Sequence, residues 1–224
     1  MRVLDNVAKK GAVSKTTNNQ LFYFYKSDLS IMTDNTVYSA LQQVTGFSGD
    51  EMSVFLNRFE EKNIRKKTTI LSCGKVAKEI YFIISGCMRL YYERDGMDIS
   101  AFFFTENMFA GAYDSFTTKT KSRHFIETME DCHCLSINYN HLQSLYLELP
   151  KMNELIRKVL EKRFFELHQL FTSQILDSPE ERYLHLLKEH PGLLQRIPQH
   201  HIATFLGVTP VSLSRIRSRV SKRP

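Results

Sequence analysis

No stretch of this 224-residue chain is apolar for long enough to cross a bilayer, and its start carries no cleavable hydrophobic leader. Cysteine is scarce as well. Four cysteines (Cys73, Cys87, Cys132, Cys134) in such a chain lead to the expectation of a reduced, cytoplasmic protein without contact to a membrane. Cys132-His133-Cys134 invites a metal reading, but alternate residues of a strand share one face and no second cysteine pair exists to complete a tetrahedral set, so no metal site is expected. Also missing are a glycine-rich phosphate loop, a nucleophile elbow, a His-Glu-x-x-His helix and a His-x-His pair on any strand-like block. The expectation is therefore a protein that is not an enzyme and needs no cofactor. A metal-dependent enzyme of the jelly-roll type stays open as a rival, since that architecture also hosts metal chemistry.

Acidic residues are missing from one region in particular. From Pro198 to Pro224 the chain holds Arg215, Arg217, Arg219, Lys222 and Arg223 and no carboxylate side chain, so this tail alone is +5 of a formal net charge of +6. Residues 1–26 add another +4, leaving the body from Ser27 to Ile197 at −3. Anionic partners are expected near the termini.

At 42% hydrophobic residues the chain can bury real cores, and the pattern along it changes period twice. Residues 1–34 are polar and breaker-rich, a flexible extension in which translation starts at either Met1 or Met32. From Asn35 to Glu61 apolar residues recur at three- and four-residue steps, as in short amphipathic helices broken at "TGFSGD", with Ser48 and Glu51 spaced as a capping box. "TTILSC", "EIYFIISG", "CMRLYYERDG", "ISAFFF", "RHFIETMED" and "CHCLSINY" then read as strands separated by turns such as Ser85-Gly86 and Asp95-Gly96. That many short strands in so few residues suggest a β-sandwich, jelly roll or β-roll.

Helical period returns at Asn140. After Pro150 an apolar stripe of Met152, Ile156, Val159, Leu160, Phe164, Leu167, Leu170 and Phe171 runs along one long helix. Either this helix lies across its own β-domain, or it forms a seam with a second copy; the length of the stripe favours the homodimer seam. Ser178-Pro179-Glu180-Glu181 then starts a small helical unit.

The end of the chain, "HHIATFLGVTPVSLSRIRSR", has the spacing of a helix-turn-helix with its recognition helix at residues 210–220. Ile202, Leu206, Leu213 and Ile216 point inward, Ala203 lets two helices cross closely, Gly207 takes the turn, and Thr209 caps the second helix with Pro210 behind it. His200-His201 reads as an exposed helix-start pair. A helix in the major groove of double-stranded DNA presents short polar and basic side chains, so Val211, Ser212, Ser214, Arg215 and Ser218 are the candidate reading face. Arg215 is the candidate for a guanine edge, while Thr209, Arg217, Arg219 and Lys222 are candidate phosphate contacts.

The order of β-roll, long helix and C-terminal helix-turn-helix resembles the Crp/Fnr superfamily of transcription regulators, over residues 35–224. "CGKVAKEIYFIISGCMRLYY" is similar to its β-roll signature, with Gly74 and Gly86 at the turns, and "ERYLHLL…PQHHIATFLGVTPVSLSRIRSR" is similar to its DNA-binding segment, as in Bacteroidetes-type members. The resemblance implies an α+β architecture: a cyclic nucleotide-binding-like β-roll sensor at 35–148, a dimerisation helix at 149–177, and a winged-helix-like reader at 178–224 whose β-wing is missing. It also implies a homodimer on an inverted repeat that contacts RNA polymerase and answers to a small-molecule effector.

The effector cassette departs from the pattern. Members that bind cyclic AMP carry Gly-Glu at its start and Arg-Ser at its end. Here Gly111 is followed by Ala112 and Tyr113, and Ser122-Arg123 reverses the closing pair. These five residues mark the candidate effector pocket, and an effector other than cyclic AMP is expected; a cyclic-nucleotide-responsive activator remains the alternative. No cysteine cluster for an iron–sulfur centre precedes Cys73, and His124 or His133 alone does not make a haem site. A signal in the β-roll is expected to move the two long helices and so reset the separation of the recognition helices, which one turn of DNA sets at about 34 Å.

Overall fold

A computed structural model of the chain describes residues 34–222. The extension before Asp34, and Arg223 and Pro224, lie outside the described residues. Helices α1 (Asp34–Thr45) and α2 (Gly49–Leu56) open the structure. Ser48 and Glu51 form the capping box the spacing predicts: each side chain takes the other's backbone N–H, which satisfies two donors that the helix start leaves over.

Eight strands follow: β1 (Glu60–Ile64), β2 (Thr69–Leu71), β3 (Glu79–Ser85), β4 (Met88–Arg94), β5 (Met97–Phe104), β6 (Phe109–Ala110), β7 (Phe125–Thr128) and β8 (Cys132–Asn138). They form two four-stranded antiparallel sheets, ordered β1-β8-β3-β6 and β2-β7-β4-β5, the arrangement of a β-roll. Six of the eight coincide with the apolar blocks of the sequence. β1 escapes such a reading because "EEKNI" offers almost no apolar face, and its mostly exposed residues are held by pairing with β8, by the Lys62–Glu79 ion pair and by Ile64 against the core. β6 is too short to show a period. The β4–β5 hairpin turns through Asp95 and Gly96, both left-handed (φ 54° and 72°), as a two-residue turn that follows strand twist requires.

Between β6 and β7 lies a short helix, α3 (Tyr113–Thr118), which the sequence reading left out. After β8 come α4 (Tyr139–Glu148) and the long α5 (Lys151–Leu176). The main core fills the roll with Phe82, Met88, Phe104, Phe116 and Ile126, and continues outward to α1, α2, α4 and the first turns of α5 through Leu41, Phe55, Leu145 and Met152. Four further helices complete the chain: α6 (Pro179–Glu189), α7 (Pro191–Arg196), α8 (Gln199–Phe205) and α9 (Pro210–Val220). Their core of Tyr183, Leu186, Ile202, Leu206, Leu213 and Ile216 is continuous with Cys87, Phe103 and Met129 of the β-roll.

Gly86 joins β3 to β4 at φ 103°, where an added Cβ would lie 2.6 Å from the Asp131 carbonyl oxygen and 2.9 Å from the Cys132 Cα. Backbone cannot yield as a side chain can. Gly86→Ala is expected to destabilise the protein well beyond the ~1 kcal/mol expected of Gly96→Ala, whose Cβ would meet open space. Urea denaturation of the two variants measures the difference.

Candidate nucleic-acid interface and effector site

The last helices are built from local signals. Ser178 caps α6 with a second capping box to Glu181, and Pro179 takes its first position. Gly207 turns the chain between α8 and α9 at φ 67°. Thr209 caps α9 through the Ser212 N–H (3.2 Å), Ala203 is fully buried at the crossing, and Leu213 and Ile216 face inward. Val211, Ser214, Arg215 and Ser218 lie together on the solvent side of α9, with Lys222 exposed just beyond it. Ser212 and Arg217 are half-buried, and the Thr209 hydroxyl is committed to the cap and to Ser212 (3.0 Å). Arg219 is exposed but already paired, donating to Glu180 of α6 at 2.9–3.0 Å. A groove of about 840 Å³ between α6 and α9 is lined by Leu184, Val208, Ile216, Arg215, Arg219 and Glu180.

α8 does not project into solvent; it lies on the outer face of the β2-β7-β4-β5 sheet. At the centre of this contact is Arg89 of β4, 1% exposed. Its guanidinium donates to Glu127 of β7 (2.9 Å), Asp98 of β5 (2.7 Å), Ser100 (3.3 Å) and Nδ1 of His201, and rests 3.9 Å from the centroid of the Tyr91 ring. Arginine has no acceptor, so His201 receives that bond on an unprotonated Nδ1. The imidazole is neutral: burial foremost, then Arg89 and His200, push its pKa down to about 4. The exposed histidine pair of the sequence reading is thus corrected; His200 is exposed, whereas His201 is half-buried against the sheet.

Further contacts hold α8 and the residues on either side of it. The Ser100 N–H donates to the Thr204 hydroxyl (3.2 Å), and Phe103 meets Phe205 edge to face at 5.3 Å. Arg196, the last residue of α7, forks onto Glu106 through Nη1 (3.0 Å) and Nη2 (2.7 Å) and onto Glu130 through Nε (3.0 Å). Burial acts to raise the Glu106 carboxyl, but the Arg196 bonds outweigh it and hold the group below the usual carboxylate range. At the far end Gln174 of α5 donates to the Phe205 carbonyl (3.3 Å), and Arg182 of α6 to the Leu206 carbonyl (3.0 Å).

The apolar stripe of α5 divides in two. Met152, 1% exposed, is buried in the chain's own core beside Leu155, so it is withdrawn from the seam that the sequence assigns it to; Ile156 and Val159 pack half-buried on the same core. Farther along, Leu160, Leu167, Phe164 (67% exposed) and Phe171 (66%) face solvent, with Phe165, Ile175 and Leu176 beside them.

In the effector cassette, Gly111 packs so closely that a Cβ would fall 2.4 Å from Ile80 Cδ1. Ala112 is buried at the start of α3, Tyr113 is half-buried, and the buried Ser122 hydroxyl donates to the His124 carbonyl (2.9 Å). Arg123 points to solvent. His124 is buried and its Nε2 meets no hydrogen-bond partner among the described residues; burial lowers its pKa. From α5, Arg163 lays its guanidinium over Phe102 (4.2 Å) and Phe104 (5.1 Å) and donates to the Phe109 carbonyl (3.4 Å). Cys132 and Cys134 sit in the core, where burial pushes their thiols up to about 11 and about 12, so both are protonated and inert.

Residues 61–148 match the cyclic nucleotide-binding domain family. The described residues have the fold of solved Crp/Fnr family regulators. The chain superposes on the c-di-GMP responsive global regulator CLP of Xanthomonas campestris (TM-score 0.64, 20% identity), covering 78% of this chain and 92% of that one. A Crp/Fnr family regulator from Eubacterium rectale is similar at TM-score 0.61 and 14% identity, covering 79% and 84%. The catabolite activator protein of Thermus thermophilus follows at 0.51 and 18%, covering 79% and 85%. No curated protein matches the sequence. The Crp/Fnr fold is that of the β-roll followed by the helix-turn-helix, as the sequence implies.

At the effector cassette, Ala112 brings a buried methyl where the pattern has a carboxylate, Ser122 brings a hydroxyl already engaged with backbone, and Arg123, in the bend before β7, is exposed. The residues that the sequence reading missed are those of the docking contact: Arg89, Ser100, Glu106, Glu130, Arg196, His201 and Thr204. Their partners lie 66 to 112 residues apart, and the one local signal was an arginine inside the apolar run "CMRLYY".

Because His201 is held near 4 when folded and titrates at ~6.5 when unfolded, the unfolded chain takes up a proton that the native one refuses. Its contribution is present above pH ~6.5 and is lost as the pH falls towards 4. The melting temperature of the wild type is expected to drop more steeply over that window than that of His201→Gln, which keeps an acceptor for Arg89 but does not titrate. Parallel scanning calorimetry checks it; identical slopes contradict it.

Proposed function

We propose that the protein is a homodimeric transcription regulator that binds an inverted repeat in double-stranded DNA, with residues 35–148 as sensor, 149–177 as dimerisation helix and 178–224 as reader. The observation that carries this reading is the outer face of α9, where Val211, Ser214, Arg215 and Ser218 are exposed on a capped helix without a single carboxylate. Such a face suits the major groove: Arg215 donates in pairs to guanine, Val211 offers methyl contact, and Lys222 neutralises phosphate. Ser212, half-buried against Thr209, and Arg217 serve nearer the backbone. In this reading, which extends the family resemblance of the sequence, the regulator acts on RNA polymerase and answers to a small molecule bound in the β-roll. The mismatched cassette supports an effector that is not cyclic AMP.

Fluorescence anisotropy with random and selected duplexes across a salt series tests the reading; no binding to any duplex in moderate salt overturns it. Arg215→Ala is expected to lose about 1–3 kcal/mol of discrimination at one base pair. Lys222→Ala weakens all sequences alike and flattens the salt slope by about 0.9. Glu180→Gln is expected to do the reverse, freeing Arg219 for a phosphate and steepening the slope by about the same amount.

The bare apolar face of α5 supports the dimer. Leu160, Phe164, Leu167, Phe171 and Ile175 recur at three- and four-residue steps along it, and a surface of that kind is stable when a second copy covers it. The double variant Phe164→Glu/Phe171→Glu is expected to sediment as a monomer and to lose at least about tenfold in affinity for an inverted repeat, while its β-roll stays folded.

A further inference from the structure

We propose that the polar clamp between α8 and the outer sheet of the β-roll, with Arg196 as its chief positioning residue, sets the angle of α9 and thereby the half-site spacing that the dimer accepts. This rests on the DNA-binding reading and goes beyond it: a reader hung from α5 alone would take its orientation from the seam.

The contacts divide the work along α8. Arg196 sits three residues before its first residue, Gln199, and is held by two carboxylates from separate connections of the roll: Glu106, between β5 and β6, and Glu130, between β7 and β8. Glu106 is anchored in turn by the N–H of Gly86 (2.9 Å). The middle of α8 is fixed by His201 on Arg89 and by Thr204 on Ser100, and its end by Gln174 and Arg182. A helix gripped at its start, middle and end does not pivot. α9 follows after the short turn 206–209 and shares a core with α8 through Ala203, Leu206, Leu213 and Ile216, so it inherits that orientation.

A bidentate guanidinium–carboxylate fork fixes direction as well as distance, which an apolar contact does not. Moving a half-site by one base pair shifts it by about 3.4 Å and rotates it by roughly 35° about the DNA axis. A clamped reader cannot follow that rotation; a released one, still tethered at Asp177 and Ser178, can.

The test uses the full chain and duplexes that carry one selected half-site sequence as an inverted repeat, with centre-to-centre separations stepped by single base pairs around about 10. Wild type is expected to favour one separation by at least roughly tenfold over its neighbours. Arg196→Ala is expected to bring neighbouring separations to within about threefold of one another, with base preference inside each half-site unchanged and Arg196→Lys recovering part of the discrimination. Glu106→Gln/Glu130→Gln, which removes the fork from the other side, is expected to behave as Arg196→Ala does and stands in for it if that variant fails to fold. Retention of the wild-type spacing preference by the alanine variant or by the double glutamine variant overturns the proposal. So does a wild type that binds DNA but tolerates every separation equally. A wild type that binds no duplex instead overturns the DNA-binding reading on which the proposal rests.

Discussion

A guanidinium taken out of water is tolerable only when nearly every one of its donors is matched, and Arg89 meets that condition with four groups from three separate elements, β7, β5 and α8. Glu127 and Asp98 supply charge, Ser100 a hydroxyl, and His201 a neutral nitrogen. Removing either carboxylate leaves the buried guanidinium only partly compensated, at a cost of up to about 3–5 kcal/mol. That constraint ties α8 to the sheet beneath it. Because α8 and α9 share a core, it reaches the exposed face of α9 as well.

The docking surface combines two kinds of contact with different consequences. Phe103, Phe205, Met129 and Cys87 bury apolar area without preferring one rotation over another, whereas the Arg89 and Arg196 forks select a single one. Interfaces between units of one chain are commonly polar enough to open, and here the polar part carries the orientation. A shift of the β5–β6 or β7–β8 connection therefore reaches the start of α8 directly, through Glu106 or Glu130 on Arg196, as well as through α5.

Elements whose cause is local were legible. The capping box at Ser48, the Ser178 cap with Pro179 behind it, the Asp95-Gly96 turn, the break at Pro150 and the Thr209 cap all rest on residues within a few positions of each other, and the structure has each of them. β1 was not legible, because "EEKNI" becomes a strand only when β8 pairs with it. Nor was the fate of Met152, which has the same period as Phe164 yet turns to its own core because the roll happens to lie beside that end of α5. His201 was read as exposed for a similar reason: its environment comes from β4, 112 residues earlier.

By itself, then, the sequence determined the order of helices and strands, the capped helix-turn-helix, the concentration of positive charge at its end, and the presence of Ala112 and of the order Ser122-Arg123 in the 111–123 segment. Each is read directly or follows from periodicity, capping chemistry or charge count, which depend on near neighbours. Tertiary structure alone decided which half of the α5 stripe remains bare, that Arg219 is held by Glu180, and that the reader is bolted to the β-roll through Arg89 and Arg196. Those outcomes depend on which distant surfaces meet, and a side chain's partners across a fold leave no trace in the spacing of the residues beside it.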